Sequence, residues 1–103
     1  MPRPRKKRCC RAYPDDRVFK PRSIPMSGLE TVRLELGELE AMRLCDLEQF
    51  DQGDAGTRMG VSRGTVQRLL KSGRRKVLES IVHTKALIIE KGDGDEDLRA
   101  DAR

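Results

Sequence analysis

The chain has 103 residues, of which 36% are hydrophobic, 38% charged and 3% aromatic. That length supports one domain rather than two, and so few aromatic rings argue against readers of single strands or RNA that stack bases on aromatic platforms. No apolar run approaches a membrane span and no signal peptide is visible, so we expect a cytoplasmic protein without membrane contact.

The net charge of +5 conceals an uneven distribution of charge along the chain. Residues 1–20 contain eight basic and two acidic side chains, and residues 58–76 contain seven basic and no acidic ones. Between these blocks, residues 30–54 contain eight acidic and two basic side chains. Two basic blocks indicate a molecule with one positive face, for which DNA phosphate is the commonest partner; a solvated charged surface is the alternative.

Residues 1–12 are rich in proline and arginine, lack an apolar period and are predicted to form a flexible basic arm. Such arms place arginine in the narrow minor groove of A·T tracts, or they attract phosphates regardless of sequence, and the residues favour neither alternative. The basic side chains of the arm are Arg3, Arg5, Lys6, Lys7, Arg8 and Arg11.

A single domain is predicted over 13–91, and its first part is extended. Three prolines and a glycine exclude a helix over 13–28, where Val18 and Phe19 fit a short extended piece. Apolar and charged residues then alternate from Val32 to Leu36, which predicts a half-exposed strand.

Three helices are predicted next, over about 37–49, 52–59 and 63–82. In the first, acidic residues such as Glu38 and Glu40 fall mostly on the face opposite an imperfect apolar stripe. The stripe consists of Leu39, Met42, Leu44, Leu47 and Phe50.

The second and third helices have clear end signals. Asp51 lies three residues before Asp54, in an acidic version of the capping box. Gly60 ends the second helix, and Ser62 is placed to cap the third. The apolar face of the third helix consists of Val66, Leu69, Leu70, Gly73 and Val77.

These two helices fit a helix-turn-helix unit. Such a unit needs small residues in its first helix, a glycine at the turn and apolar residues that lock the helices together. With Gly60 at the turn, Ala55 and Gly56 supply the small residues, and Val66 and Leu69 face inward. A helical hairpin without a DNA role is the alternative.

The outward face of the third helix favours DNA. In helix-turn-helix proteins the N-terminal part of the second helix of the unit enters the major groove of the duplex. Arg63, Gln67 and Arg68 are the predicted base readers, because arginine suits guanine O6 and N7 and glutamine suits adenine N6 and N7. The predicted phosphate contacts are Ser62, Thr65, Lys71, Arg74, Arg75 and Lys76.

A strand and a tail are predicted to end the chain. Residues 85–89 form a strand that can pair with the strand near Val32. Residues 92–103 carry five acidic and two basic side chains and almost no large apolar ones, so this tail is predicted to be disordered. Its negative charge could compete with DNA for the basic face.

Several segments quoted in chain order carry a family resemblance: Leu39-Glu-Ala-Met-Arg-Leu, Met59-Gly-Val-Ser-Arg, Gln67-Arg-Leu-Leu and Lys85-Ala-Leu-Ile-Ile-Glu. Over about residues 1–92 the chain resembles the prokaryotic uncharacterised protein family 0251 (domain of unknown function 134). The resemblance implies a mainly α, three-helix helix-turn-helix domain with a small flanking β element, similar to region 4 of sigma factors, and a nucleoid-associated transcriptional regulator that binds double-stranded DNA.

The resemblance also leaves a rival and sets a limit. Sigma-like units can contact RNA polymerase or another protein instead, with DNA binding secondary, and two-fold dimers are common in this class, so a homodimer is a further expected partner. Some family members carry an additional domain similar to nitrogenase iron–molybdenum cofactor biosynthesis proteins. An acidic tail takes its place here, so no cofactor is expected.

Neither an enzyme nor a metal site is expected. His83 is the only histidine, and no Ser/His/Asp or Cys/His arrangement can be assembled. Three aspartates of the tail alternate as calcium ligands do, but the rest of that loop pattern is missing. Adjacent Cys9 and Cys10 cannot easily bind one tetrahedral zinc, although a thiol in a basic arm could be oxidised.

Five glycines lie in or beside the predicted helices: Gly37, Gly53, Gly56, Gly64 and Gly73. Each glycine inside a helix costs about 1 kcal/mol relative to alanine, which predicts a soft domain that DNA or a partner subunit stabilises. Alanine in place of Gly56 and Gly73 is therefore expected to raise the melting temperature.

Overall fold

The computed structural model describes residues 9–13, 16–90 and 92–95, the first and last of these ranges as backbone only. Three helices pack beside a small sheet, as predicted for a mainly α domain with a flanking β element. In chain order the elements are β1 (Cys9–Tyr13), β2 (Arg17–Phe19), β3 (Thr31–Arg33), α1 (Leu36–Met42), α2 (Gln52–Met59), α3 (Arg63–Val82), β4 (Ala86–Ile89) and β5 (Gly92–Asp95).

The central strand of the three-stranded sheet is β4, which runs antiparallel to β2 and parallel to β3. Val32 lies opposite Leu87, so the predicted pairing of the last strand of the domain with the strand near Val32 is confirmed. The strand predicted over 32–36 is wrong at its end, because Glu35 already caps α1. The Glu35 side chain accepts from the N–H of Glu38, while Glu38 Oε1 accepts from the N–H of Glu35 at 2.9 Å.

A second pairing joins β1 to β5, with Tyr13 opposite Gly92 and Cys9 opposite Asp95. The predicted arm and tail therefore begin too close to the domain: residues 9–12 and 92–95 are strands. Glycine and aspartate give β5 little strand propensity of its own, but β1 precedes β2 and β5 follows β4, so the antiparallel register of β2 and β4 extends to them. The predictions for 1–8 and 96–103 lie outside the described residues.

Two apolar clusters make up the core. The first joins the three helices through Ala41, Leu44, Ala55, Met59, Val66, Leu69 and Leu70. The second lies between the sheet and the helices and contains Leu34, Leu36, Leu87 and Ile89. The inward face predicted for the third helix is thus confirmed at the positions that lock it to α1 and α2.

The first helix departs from its predicted pattern. It ends at Met42 and continues as a π-helical turn, Arg43–Leu47, in which the N–H of Glu48 donates to the carbonyl of Arg43 at 2.9 Å. A π-turn inserts an extra residue and rotates the residues after it about the helix axis, so Leu47 leaves the apolar stripe and is 75% exposed. The prediction for the acidic face is also wrong, since Glu38 and Glu40 are buried.

The other two helices begin and end where the end signals place them. Asp51 Oδ1 accepts from the N–H of Asp54 at 2.8 Å, and Ser62 Oγ accepts from the N–H of Thr65 at 3.1 Å. Gly60 closes α2 with a φ of 72°, in the left-handed region that favours glycine. These contacts fix the turn between α2 and α3.

Removal of the Ser62 cap should weaken the start of α3. Because one N–H of the first turn would lose its acceptor, Ser62→Ala is expected to reduce the free energy of unfolding by about 1 kcal/mol. Urea denaturation followed by circular dichroism measures this. Ser23→Ala, at an exposed serine in a loop, is the matched control and should change stability by less than about 0.5 kcal/mol.

Two of the five glycines are required by packing, so the expected gain from alanine at these positions is wrong. A Cβ on Gly56 would lie 2.7 Å from the carbonyl oxygen of Val61. A Cβ on Gly73 would lie 2.7 Å from Met42 Sδ and 3.1 Å from Glu38 Cβ. Both glycines therefore allow helices or turns to approach closely, and the helix propensity of alanine cannot compensate for the lost space.

No helix in the described part of the chain is both long enough and apolar enough to cross a membrane.

Candidate nucleic-acid interface

Packing of α2 against α3 determines which side of α3 faces outward. Ala55, Met59 and Val66 are fully buried where the two helices meet. Gly56 lets the turn after α2 lie directly on that helix, and its carbonyl accepts from the N–H of Val61 at 2.9 Å. The first two turns of α3 consequently project from the domain with their opposite face locked in place.

The three predicted base readers all lie on that projecting surface. Arg63, Gln67 and Arg68 are exposed. Arg68 Nη2 donates to Thr65 Oγ1 at 3.2 Å, and Thr65 Oγ1 lies 3.0 Å from Ser62 Oγ. This chain of contacts connects the helix cap to Arg68, so the same serine that starts α3 also helps to orient the guanidinium.

The predicted phosphate contacts fall into two groups. Lys71 and Arg75 are exposed, further along α3 from the base readers. Arg74 is half-exposed and donates to Asp46 at 2.6 and 3.1 Å, and these hydrogen bonds raise the pKa of its guanidinium. The prediction for Lys76 is wrong: its Nζ lies 2.9 Å from buried Glu38 Oε1, which directs the charge into the domain.

Arg58, at the end of α2, is a basic residue that sequence reasoning did not assign to the site. Its side chain is exposed, and the guanidinium carbon lies 4.0 Å above the centre of the Phe50 ring. A cation over an aromatic ring is attracted to it and is held in one orientation. The missed signal was a basic residue two positions before the turn glycine.

Pairing of charges within the domain concentrates the unpaired positive charge on one surface. Acidic residues of the 30–54 block bind cations elsewhere: Glu40 and Glu48 pair with Arg43, Asp46 with Arg74 and Glu38 with Lys76. By contrast, within residues 16–90 no carboxylate pairs with the basic side chains of the surface that we call the basic face, which are Arg58, Arg63, Arg68, Lys71 and Arg75.

Cys45 lies beneath this region, in the π-turn beside Asp46. Burial and the Asp46 carboxylate raise the pKa of its thiol, while Arg74 acts in the opposite direction. The thiol is therefore the dominant form at neutral pH, and Cys45 packs against the helical cluster as an apolar side chain.

Groups that could hold a metal ion are also absent from the described ranges, where no three His, Cys, Asp or Glu side chains converge. His83 lies exposed at the end of α3.

Comparison with known proteins places this surface in a family. The family model described as "Protein of unknown function DUF134" matches residues 1–97. A UPF0251 protein of Methanosarcina mazei is 44% identical over 89 residues, which cover 86% of this chain and 53% of the relative. A UPF0251 protein of Thermoanaerobacter pseudethanolicus is 45% identical over 102 residues, which cover 96% of this chain and 86% of the relative.

The relatives differ in length. This chain spans 53% of the Methanosarcina mazei protein and 58% of a UPF0251 protein of Prosthecochloris aestuarii, to which it is 43% identical over 90 residues. No solved structure is significantly similar to the chain. Since the family model covers nearly all of its length, the chain belongs to the family of proteins of unknown function DUF134.

Proposed function

We propose that this protein binds duplex DNA through α2, the turn at Gly60 and α3, and that it acts as a transcriptional regulator rather than as an enzyme. One observation supports this above all others: the first two turns of α3 are packed on one side and offer exposed Arg63, Gln67 and Arg68 on the other. Side chains fixed in this way on a projecting helix match the geometry by which helix-turn-helix proteins enter the major groove.

Different residues have different tasks in this proposal. Arg63, Gln67 and Arg68 contact base edges, because their donors suit the purine edges in the major groove. Ser62, Thr65, Lys71 and Arg75 face the phosphates on either side, and Arg58 adds charge from α2. Arg74 contributes only partly, because Asp46 already compensates its charge.

The basic N-terminal arm extends the proposed contact. It leads into β1, which lies beside α1 and α2, so its origin is on the helical side of the domain. Six basic side chains within residues 1–11 would add phosphate contacts, or arginine contacts in the adjacent minor groove.

Selection of bound sequences from a random duplex pool, followed by affinity measurements, tests this function. Against the selected site, Arg68→Ala is expected to weaken binding by about 5- to 150-fold and to relax the preference at one base pair. Lys71→Ala should weaken binding to all duplexes alike and reduce the slope of log affinity against log salt by about 1.

Arg22→Ala serves as the matched control, because this exposed arginine lies in the loop between β2 and β3. Its affinity for the selected site should equal that of the natural protein. The proposal fails if the protein ignores every duplex at low ionic strength. It also fails if Arg68→Ala and Lys71→Ala bind as tightly as Arg22→Ala.

A further inference from the structure

The C-terminal half of α3 carries a row of exposed apolar side chains that neither the core nor the basic face uses. Leu78, Ile81 and Val82 are 58%, 69% and 65% exposed. Their spacing of three and four residues places them on one side of the helix, where they form what we call the apolar ridge. Large side chains grouped in this way on a helix indicate a surface that is covered by something else.

An apolar cleft of about 690 Å³ lies beside the apolar ridge, between α3 and the sheet. Its walls include Leu39, Met42 and Val77, and Phe19, which is 57% exposed, lies on the β2 side. Ile81 lines this cleft and also belongs to the ridge. Projection and recess therefore lie side by side on a single surface.

We infer that a second copy of this chain covers the surface, with the two copies related by a two-fold axis. A two-fold interface uses the same patch twice, so that patch must supply both the projecting and the receiving groups. The apolar ridge and the apolar cleft meet this requirement, since Ile81 of each copy can enter the cleft of the other while Leu78 and Val82 pack across the axis.

The charges around the ridge favour this occupant. Glu79 Oε2 lies 2.8 Å from Lys85 Nζ, and Glu30 lies 3.4 Å from the same ammonium, so the charge of Lys85 is already compensated. Arg75 and Glu79 lie one turn apart on α3, and antiparallel pairing directs each Arg75 towards Glu79 of the partner subunit. A surface that carries both signs in this order is complementary to itself, whereas the basic face would repel its copy.

The position of the ridge leaves the basic face free. Gln67 and Ile81 are about 21 Å apart along α3 at 1.5 Å per residue. Antiparallel pairing about the ridge separates the two Gln67 residues by about twice that distance, and crossing of the helices shortens it towards the about 34 Å between half-sites one turn apart. This last step rests on the proposed function; the interface itself does not.

Sedimentation equilibrium without DNA tests the interface. The protein should behave as a dimer of twice 11.7 kDa at micromolar concentration. Ile81→Asp should increase the dimer dissociation constant at least about 30-fold, as expected for loss of a central interface side chain. Leu47→Asp, at an even more exposed apolar residue outside the ridge, should leave the dimer unchanged.

The outcomes separate this inference from the proposed function. A monomer at every concentration up to about 100 μM, or an Ile81→Asp protein that dimerises as well as Leu47→Asp, overturns the interface; a monomer whose cleft takes up an apolar dye or another protein has the same meaning. A dimer that ignores all duplexes leaves the interface standing and refutes DNA binding. Circular dichroism of both variants shows whether they are folded.

Discussion

Replacement of Gly56 by alanine is expected to reduce the free energy of unfolding by about 3 kcal/mol, the upper part of the usual range for overpacking. The new Cβ would lie 2.7 Å from the carbonyl oxygen of Val61 and 3.4 Å from the carbonyl carbon of Ser62. Both atoms are backbone atoms of the turn between α2 and α3, so no side-chain rotation can relieve the contact. Thermal and urea denaturation measure the loss.

Gly53→Ala is the matched control, since Gly53 lies in the same helix. Its Cβ would meet only Asp51 Oδ1, at an ordinary contact distance of 3.4 Å, so the better helix propensity should stabilise the protein by up to about 1 kcal/mol. Opposite signs for Gly53 and Gly56 are therefore expected. A Gly56→Ala protein as stable as Gly53→Ala would show that the turn does not approach α2 as closely as described.

Loss of the buried Glu38 carboxylate is expected to have an effect of similar size. Its Oε1 accepts from Lys76 Nζ and from the N–H of Glu35, each at 2.9 Å, and its Oε2 accepts from Ser72 Oγ. Glu38→Leu would leave these donors without their acceptor and the Lys76 ammonium, only 23% exposed, without its counter-charge. We expect a loss of about 3 kcal/mol in the free energy of unfolding.

A double-variant cycle checks that the charge is the cause. Lys76→Met removes the ammonium, so the double variant Glu38→Leu/Lys76→Met replaces the pair by apolar groups and should be more stable than Glu38→Leu alone. Urea denaturation of the natural protein, both single variants and the double variant gives the coupling energy. Strictly additive losses would mean that Glu38 stabilises α1 through the cap at Glu35 and not through Lys76.

The sequence was most informative where local chemistry decides the structure. Asp51, Gly60 and Ser62 act within four residues of their own positions, and so the ends of α2 and the start of α3 could be predicted from them. The exposure of Arg63, Gln67 and Arg68 follows from the apolar spacing on the other side of the same helix, which also needs no distant information.

Predictions that depend on distant partners were wrong. Glu38 looks like a solvated residue until Lys76 and Ser72, more than thirty positions away, are placed beside it. Gly73 looks like a weak point in α3 until Met42 is seen against it. The same holds for β5, whose glycines and aspartates become a strand only through β1. None of these contacts leaves a mark on the residues nearby in sequence.

The strand order of the three-stranded sheet has a consequence for the order in which this protein folds. Both neighbours of β4 come from the first third of the chain, and Val18 must wait for Ile88, seventy residues later. Contacts so distant in sequence form slowly, whereas the helices are joined by short connections. On the ribosome, the helical part can therefore assemble while β2 and β3 are still unpaired, and synthesis of β4 completes the domain.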